Sequence, residues 1–315
     1  MAFFLGIDAG GSATRCVVGD EYRILGRAQT SSCKIQRVGE AEARRALHAV
    51  IREACQVADV APGRIEQACI GISGASHPEV VERVRHIINE VISAPVEVLG
   101  DIIIALEAGL GPLAGCMVIA GTGSIAVGRN QQGTLARAGG WGPAASDEGS
   151  GYWIGRAAVA AILRAHDSGE STALARAIMA AWRLASYADF ERAASASPPP
   201  DFAQLFPTVL TEAEQGDLIA TDVLQRAGME LAELALVVIR RLWPGPQRVR
   251  VTICGGVLEN SSLIRRAFAS KLRSACPQSA ISFGNIEPVT GALSLARKHA
   301  ARSSEHSAVG VTKKR

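Results

Sequence analysis

No two cysteines of this chain are spaced as CxxC, although its 315 residues include seven cysteines. A scattered, odd-numbered set is typical of reduced thiols in a cytoplasm, and it does not indicate a disulfide framework or a metal cluster. The chain also lacks an excess of charge of one sign, since its formal net charge is only +3. This balance gives no indication of a nucleic-acid partner.

Long apolar runs are missing as well. No apolar run is long enough to cross a bilayer, and "ELALVVIRRLW" is interrupted by arginines, so we expect no membrane-spanning segment. The start, "MAFFLGIDAGG", lacks a basic segment and reaches aspartate and glycine at once, so we expect no signal peptide. What the chain does have is 48% hydrophobic and 20% charged residues, a composition typical of a well-packed globular protein. Its length suggests two domains.

Two parts of the chain open in the same way. "FFLGID" and "RCVVGD" flank the glycine turn "AGGSAT", and "CMVIA" and "SIAVG" flank a later one, so each pattern predicts a β-hairpin. "RILGRAQT" predicts a third strand, and an amphipathic helix begins at Glu40. "QACIGISG" and "VEVLGD" predict buried strands, each followed by a helix. Residues 149–243 are predicted to be mostly helical, with a loop at "ASASPPPD". After the strand and turn "VRVTICGGVLEN", two helices are predicted. The repetition indicates a duplicated α/β architecture.

Three glycine turns follow predicted strands: "GIDAGGSATR" (6–15), "IAGTGSIAVG" (119–128) and "CGGVLEN" (254–260). Glycine lets backbone N–H groups approach a phosphate closely, because no β-carbon intervenes. The alternative for any one of them is a tight hairpin turn. None has the lysine of a phosphate-binding GxxxxGK[ST] loop, and the first leads into a strand, unlike a dinucleotide-binding fingerprint.

These motifs together resemble the actin, Hsp70 and sugar-kinase superfamily. Within it, "GIDAGGSATR", "GISGA", "VIAGTGSIAVG", "GGWGPAASDEGSGYWIGRAA" and "CGGV" resemble the BadF/BadG/BcrA/BcrD ATPase family, close to N-acetylglucosamine and glucosamine kinases. The resemblance extends along most of residues 3–300. It implies a duplicated ribonuclease H-like (actin-like ATPase) α/β fold of two domains with the active site in the cleft between them. The N-terminal domain would comprise 1–113 with 289–302, and the C-terminal domain 114–288. The C-terminal segment "KHAARSSEHSAVGVTKKR" has little to bury, so we expect residues 303–315 to form a disordered tail.

The resemblance further implies ATP and Mg²⁺ as cofactors. Asp8 would orient Mg²⁺ through water; the alternative is an Asx-type turn residue. Ser12 and Thr122 would hold the β- and γ-phosphates, and Gly255 and Gly256 would pass close to the adenosine. The full set of ATP-binding residues expected is Gly10, Gly11, Ser12, Gly121, Thr122, Gly123, Gly255 and Gly256.

Asp101, in "VEVLGDIIIAL", is the candidate catalytic base. It follows a strand and precedes a helix, and the local sequence alone favours a helix N-cap. The resemblance implies instead that Asp101 accepts the proton of the substrate hydroxyl.

The stretch "GGWGPAASDEGSGYWIGR" (139–156) contains two of the four tryptophans. The resemblance implies that this stretch binds the sugar, whereas the alternative is that Asp147 and Glu148 favour the N-terminus of the following helix and the aromatic residues belong to the core. We expect the alternative for Tyr152 and Trp153. The expected substrate-binding residues are Thr122, Ser124, Gly140, Trp141 and Asp147.

The sequence departs from the family pattern at two places. Ser146 replaces a glycine, which is tolerable if its φ is negative. "QTSSCKIQRVG" (29–39) lacks the asparagine that binds the sugar in relatives, and Ser32, Cys33 or Lys34 stands there. This absence leaves the identity of the sugar open.

The expected function is therefore an ATP-dependent sugar kinase that phosphorylates the 6-hydroxyl of N-acetylglucosamine in the cytoplasm, as a homodimer, without a nucleic-acid or membrane partner. Glucosamine or glucose is the alternative substrate. A second alternative is an ATPase activator of a 2-hydroxyacyl-CoA dehydratase, which the lack of an iron–sulfur cysteine motif disfavours. A third alternative is a nucleotide-switch protein like Hsp70 or actin. The stretch "GGWGPAASDEGS" disfavours it, because such a protein would need no sugar-binding loop.

Overall fold

The computed structural model describes the backbone of residues 1–10, 13–245 and 247–312. Contacts between residues divide the chain into two units. Unit 1 comprises Met1–Pro112 and Ile286–Arg315, and unit 2 comprises Leu113–Asn285. These limits differ by a few residues from the domain limits expected at 113/114 and 288/289, which stay a prediction.

Unit 1 is built on one five-stranded sheet. Its strands and helices are β1 (Phe3–Ala9), β2 (Ala13–Gly19), β3 (Ile24–Ser31), α1 (Ile35–Val38), α2 (Glu40–Val57), β4 (Ile65–Ile72), α3 (Pro78–Asn89), β5 (Val96–Leu99), α4 (Asp101–Leu110) and the last helix of the chain, α12 (Pro288–Thr312). The strand order is β3-β2-β1-β4-β5. β1, β2 and β3 are antiparallel neighbours, whereas β1, β4 and β5 are parallel.

Helices cover both faces of this sheet. α2 and α3 bury an apolar stripe against residues such as Ile7 and Ile70, and α2 follows the predicted three-four spacing. A second cluster joins Ile104 of α4 and Leu293 of α12 to Phe4 and Val17. The strands are nearly continuously apolar because both faces of the sheet are buried.

Unit 2 contains a second five-stranded sheet and most of the helices. Its elements are β6 (Gly115–Ala120), β7 (Ser124–Arg129), β8 (Leu135–Gly139), α5 (Gly151–Asp167), α6 (Ala173–Trp182), α7 (Tyr187–Ala194), α8 (Phe206–Glu214), α9 (Leu218–Leu242), β9 (Arg250–Cys254), α10 (Gly256–Asn260), α11 (Ser262–Ala275) and β10 (Ala280–Phe283). A short 3₁₀ turn, Phe202–Leu205, precedes α8. α5, α8, α9 and α11 share one apolar cluster with the sheet.

The two sheets have the same topology. In unit 2 the order is β10-β9-β6-β7-β8, with β6, β7 and β8 antiparallel and β6, β9 and β10 parallel. Each strand of one sheet therefore has a counterpart at the same place in the other. This repetition confirms the duplicated α/β fold that the sequence analysis predicted.

Four elements (β8, β10, α1 and the short helix α10, where a glycine turn was expected) were not predicted, and one segment differs. β8, "LARAG", is rich in alanine and glycine, which carry little strand propensity. β10 is a short edge strand and α1 is a single turn. The backbone of residues 303–312 belongs to α12, whereas a disordered tail was expected from residue 303. In the described part of the chain, no helix has the length and apolar character needed to cross a membrane.

Candidate functional site

In unit 1, Asp8 lies next to the carboxyl end of β1. Its neighbour across the β1–β2 pair is Arg15, whose guanidinium nitrogen Nη1 lies 3.9 Å from Asp8 Oδ2. Burial raises the pKa of Asp8; the charge of Arg15 lowers it, that of Asp101 raises it and that of Lys34 lowers it. The carboxylate is thus held in a buried place where positive charge would offset the cost of ionisation.

Asp101 belongs to the same edge of the sheet. Asp8 pairs with Gly71 of β4, and Gly71 pairs with Leu99 of β5, so the three residues align across neighbouring parallel strands. Asp101 lies two residues after Leu99 and begins α4. The charge on Asp101 therefore acts on Asp8. Ligands in open α/β sheets gather at this carboxyl edge.

The alternative role for Asp101 was a helix N-cap. The N-cap of α4 is Gly100, and Asp101 is the first helical residue. Asp101 Oδ1 accepts a hydrogen bond from the adjacent amide of Ile102 (3.0 Å), whereas a capping side chain accepts from the second or third amide of the helix. The side chain is half-buried.

The segment that lacks the expected asparagine lies against the first glycine turn. Ser32 Oγ donates to the carbonyl of Gly10 (3.2 Å), and the amide of Cys33 donates to Thr14 Oγ1 (3.1 Å). Ser32, Cys33 and Thr14 are buried, and Lys34 is half-buried. The structure therefore places this segment beside Gly10 and Asp8. The predicted ATP-binding residues Gly11 and Ser12 lie outside the described residues.

In unit 2, the second glycine turn connects β6 and β7 and is tied to the start of α5. The amide of Gly151 donates to the carbonyl of Gly121 (2.8 Å), and the amide of Tyr152 donates to that of Thr122 (3.3 Å). Neither the Thr122 amide nor the Gly123 amide donates a hydrogen bond to any residue that the structure describes. Two adjacent amides that lack an acceptor are suited to an anion such as a phosphate.

Asp147 is buried beside this turn in an unusual backbone conformation. Its φ is 66°, in the left-handed region, where aspartate is better tolerated than most residues. A β-carbon added at Gly123 would lie 2.9 Å from Asp147 Oδ2, so the carboxylate occupies the space that the glycine leaves. Burial raises the pKa of Asp147; the backbone amides of Ser124 and Gly142 lower it, and the charge of Glu148 raises it.

The helix-stabilising alternative for the acidic pair does not match this geometry. The N-cap of α5 is Ser150, whose Oγ accepts from the amide of Trp153 (3.2 Å), and the first turn of α5 holds no acidic residue. Ser146, which replaces the family glycine, is not among the residues with positive φ, so the substitution is tolerated as predicted. Ser124 is buried and donates from Oγ to the carbonyl of Glu148 (2.7 Å).

Trp141 differs from the aromatic residues that follow it. Gly140 turns the chain with φ 71°, and the Trp141 side chain is 70% exposed, with the guanidinium carbon of Arg137 lying 4.0 Å from its ring centre. Tyr152 and Trp153, in contrast, are partly buried against the core of unit 2, as expected.

The third glycine turn opens a cavity together with the second. At Gly255, with φ 98°, an added β-carbon would lie 2.4 Å from the carbonyl oxygen of Ala120, so the turn passes directly over β6. The cavity has a volume of about 590 Å³. Its lining residues come from both turns, from the start of α5, and from the 3₁₀ turn, α8 and α10: Gly121, Thr122, Gly151, Ala203, Gln204, Phe206, Pro207, Leu210, Thr211, Gly256, Val257 and Asn260.

Sequence reasoning missed the wall that α8 contributes to this cavity. "FPTVLT" reads as an ordinary amphipathic helix, and no glycine or charged motif marks Phe206 or Leu210. Asn260 is also new. Its Nδ2 donates to the carbonyl of Gly256 (2.7 Å), which leaves Oδ1 as an acceptor. The cavity thus combines apolar walls with a few polar groups, as small-molecule sites do.

The cysteines form no cluster. Six of the seven are buried, and Cys276 is partly buried. Within the described ranges, no group of three or more His, Cys, Asp or Glu side chains is placed to hold a metal ion.

Comparisons with known proteins give a family, similar sequences and a similar fold. The model of the BadF/BadG/BcrA/BcrD ATPase family matches residues 5–296. An N-acetylmuramic acid/N-acetylglucosamine kinase from Clostridium acetobutylicum is 31% identical over 302 residues, which cover 94% of this chain and 99% of that protein. An N-acetyl-D-glucosamine kinase from Dictyostelium discoideum is 30% identical over 309 residues, with 93% and 97% covered. The solved structure of a protein provisionally assigned as an N-acetylglucosamine kinase, from Chromobacterium violaceum, has a TM-score of 0.72 at 25% identity and covers 93% of this chain and 98% of its own.

Proposed function

Because this chain belongs to the BadF/BadG/BcrA/BcrD ATPase family, we propose that it is an ATP-dependent sugar kinase that phosphorylates the 6-hydroxyl of N-acetylglucosamine. Both relatives described above are kinases whose names include N-acetylglucosamine. The observation that carries the proposal is the place of Asp147. Its buried carboxylate lies against Gly123, next to two amides suited to a phosphate. A carboxylate is a strong acceptor for sugar hydroxyls. The second glycine turn, with Asp147 beside it, would therefore contact both the phosphates of ATP and the sugar.

The nucleotide would occupy the cavity of unit 2. Gly121, Thr122 and Gly123 would hold phosphate oxygens through their backbone, and Gly10, Gly11 and Ser12 of the first turn would do the same. Gly255 and Gly256 would lie along the adenosine, whose base would pack against the apolar wall. Asn260 Oδ1 would accept a hydrogen bond from the exocyclic amine of the base.

Asp101 would accept the proton of the attacking hydroxyl. Phosphoryl transfer leaves little covalent chemistry to the protein, so the enzyme must position the hydroxyl, neutralise charge and accept that proton. Asp101 is half-buried at the carboxyl edge of its sheet, and one of its oxygens is not used by the Ile102 amide. Ser124, Gly140, Trp141 and Asp147 would bind the sugar, with the indole of Trp141 facing the apolar side of the ring.

Mg²⁺ fits the carboxylates of unit 1. Burial raises the pKa of Asp8, and the nearby charge of Asp101 also disfavours its ionisation, so a cation there would relieve both effects. Mg²⁺ keeps much of its water shell and needs only one or two carboxylates besides the substrate phosphates. We therefore propose that Asp8 orients Mg²⁺ through water. When bound, the ion would neutralise phosphate charge.

Glucosamine or glucose is the second candidate substrate. Ser32, Cys33 and Lys34 bring no side-chain amide to the first glycine turn, where we expected relatives to have an asparagine. A sugar without an acetamido group would have less need of that amide.

We also propose that the enzyme is a cytoplasmic homodimer without a nucleic-acid or membrane partner, and light scattering of the purified chain would test the dimer.

The deciding experiment is a coupled ADP-release assay with ATP and Mg²⁺. N-Acetylglucosamine, glucosamine, N-acetylmannosamine and glucose would be supplied separately, and N-acetylmuramic acid would be added because the relative from Clostridium acetobutylicum bears its name. We expect ADP release to depend on the sugar and to be fastest with N-acetylglucosamine. ADP release at the same rate without sugar would refute the proposal. Phosphorus NMR of the product would identify the phosphorylated hydroxyl.

A further inference from the structure

Arg137 and Trp141 form a stacked pair at the end of β8. Arg137 is on β8, opposite Val127 of β7, and Trp141 follows the turn after this strand. The guanidinium carbon lies 4.0 Å from the centre of the indole ring. Stacking holds an arginine through the face of its guanidinium group and leaves the N–H groups at its edge available.

Arg137 has no carboxylate as an ion-pair partner among the residues that the structure describes. The two nearest acidic residues in sequence have other contacts: Asp147 is buried beside Gly123, and Glu148 accepts a hydrogen bond from Ser146 Oγ (3.0 Å). Arg241 adds a second guanidinium group to this strand, because its Nη1 donates to the carbonyl oxygen of Arg137 (3.0 Å). Two guanidinium groups, those of Arg137 and Arg241, therefore belong to this end of the sheet.

Trp141 connects this charge to the sugar site. Its side chain is 70% exposed, in the exposed first part of a loop whose later residue Asp147 is buried. An indole that is exposed in this way and held by a stacked arginine is a rigid platform for a sugar ring. If hydroxyls of the sugar face Asp147, a substituent that extends over Trp141 meets the guanidinium edge of Arg137.

We propose that Arg137 determines specificity by binding a carboxylate on the sugar, so that the enzyme also accepts acidic hexosamines in which a ring hydroxyl carries a carboxyalkyl ether. This inference rests on the proposed kinase function and on the sugar-binding role of Trp141. The guanidinium fork matches the geometry of a carboxylate and forms two charge-assisted hydrogen bonds with it. A neutral hexosamine makes no such contact and depends on the sugar-binding residues proposed above, Trp141 and Asp147 among them.

The test compares two sugars in two variants and a control. The sugars are N-acetylglucosamine and N-acetylmuramic acid, which differ by a 3-O-lactyl ether. Arg137→Met keeps aliphatic packing on the indole but removes the charge, and Arg137→Lys keeps the charge without the fork. Arg250→Met is the matched control, because Arg250 is an exposed arginine of the same unit that begins β9, at the end of the strand opposite the glycine turn.

We expect Arg137→Met to lower kcat/KM for the acidic sugar by about 10- to 100-fold, as for loss of a charged hydrogen-bonding partner. For the neutral sugar the decrease should be about threefold or less, which is the remaining packing effect. Arg137→Lys should lie between wild type and Arg137→Met, and Arg250→Met should affect neither sugar. For the wild-type enzyme, the KM for the acidic sugar should rise with ionic strength, whereas the KM for the neutral sugar should not.

Two outcomes would overturn the inference. In one, the wild-type enzyme phosphorylates the neutral sugar but not the acidic one. In the other, Arg137→Met lowers kcat/KM for both sugars by the same factor, so that Arg137 only supports the indole. A wild-type enzyme that phosphorylates no sugar would refute the proposed function itself, and this result is distinct from both.

Discussion

The carboxylate of Asp147 occupies the space beside Gly123 where any other residue would place its β-carbon, since an atom built there lies 2.9 Å from Asp147 Oδ2. This contact links the acidic loop to the second glycine turn. Asp147 makes this contact from a left-handed backbone conformation, with φ 66°.

Replacing Gly123 with alanine should move the Asp147 carboxylate away from the second glycine turn. The added methyl group would displace the Asp147 carboxylate by a few tenths of an ångström or more, so we expect sugar kcat/KM to fall by about tenfold, or 1.4 kcal/mol. Steady-state kinetics with varied sugar would measure this. Gly63→Ala is the control, because a β-carbon there meets nothing within 4 Å. Equal kinetics of wild type and Gly123→Ala would mean that the contact has no role in the reaction.

Asp147→Asn should stabilise the empty protein in a pH-dependent way. The folded-state pKa is raised above 3.8, mainly by burial, so the native protein resists ionisation of this group. The resulting loss of stability is absent below pH 3.8, where the acid is protonated in both states, and is complete above the raised pKa. The difference in Tm between variant and wild type should therefore grow as the pH rises through this interval. A difference that shrinks with rising pH would contradict the pKa direction.

The same Asp147→Asn variant should bind sugar poorly. A neutral amide is a weaker acceptor than a carboxylate, so we expect the sugar KM to rise by at least about tenfold. The ATP KM should change far less, because the nucleotide cavity does not include Asp147. Increases of equal size in the two constants would indicate that the acidic loop is only structural.

Asp101→Asn should nearly abolish turnover. Removal of a general base typically lowers kcat by about 10²- to 10⁴-fold. The asparagine can still accept the hydrogen bond from Ile102, so folding and ATP binding should be retained. Calorimetric titration with ATP, alongside kcat, would separate these effects. A variant that keeps a substantial fraction of kcat would remove Asp101 from the role of base.

Filling the cavity of unit 2 should weaken nucleotide binding alone. Leu210 lines this cavity, so Leu210→Trp would take up space needed by the base, and we expect the dissociation constant of ATP to rise by about tenfold or more. Leu218→Trp is the matched control, because Leu218 is 81% exposed on α9. Unchanged ATP affinity in Leu210→Trp, measured by calorimetry, would place the nucleotide elsewhere.

The attachment of α12 to α4 can be tested by Lys298→Met. Glu107 is buried in α4 and contacts Lys298 and Ser294 of α12, the latter at 3.1 Å. Loss of the ammonium group from a buried carboxylate should lower the free energy of unfolding by about 1–3 kcal/mol. Lys271→Met breaks the exposed pair with Glu233 and should change it by less than about 1 kcal/mol. Urea unfolding would compare the two variants, and equal effects would mean that burial of Glu107 is unimportant.

Much of the fold could be predicted because local patterns decided it. The three-four spacing of α2 and the apolar runs of β1 and β4 are visible in the sequence and found in the structure. The short strand β8 could not be predicted, because its two alanines and one glycine favour no strand by themselves and are held there by pairing with β7. This strand nevertheless carries Arg137, which stacks on Trp141 and belongs to no recognisable sequence motif.

For the candidate site, the sequence by itself determined the three glycine turns, the acidic loop and the family, because these depend on residue type and order along the chain. Only the tertiary structure decided that α8 and α10 close a cavity over two of those turns, that Asp147 rather than Ser146 takes the left-handed backbone, and that Gly100 rather than Asp101 caps α4. The reason is physical: contacts between residues distant in sequence depend on how strands and helices pack, and packing is a property of the whole chain that no local pattern contains.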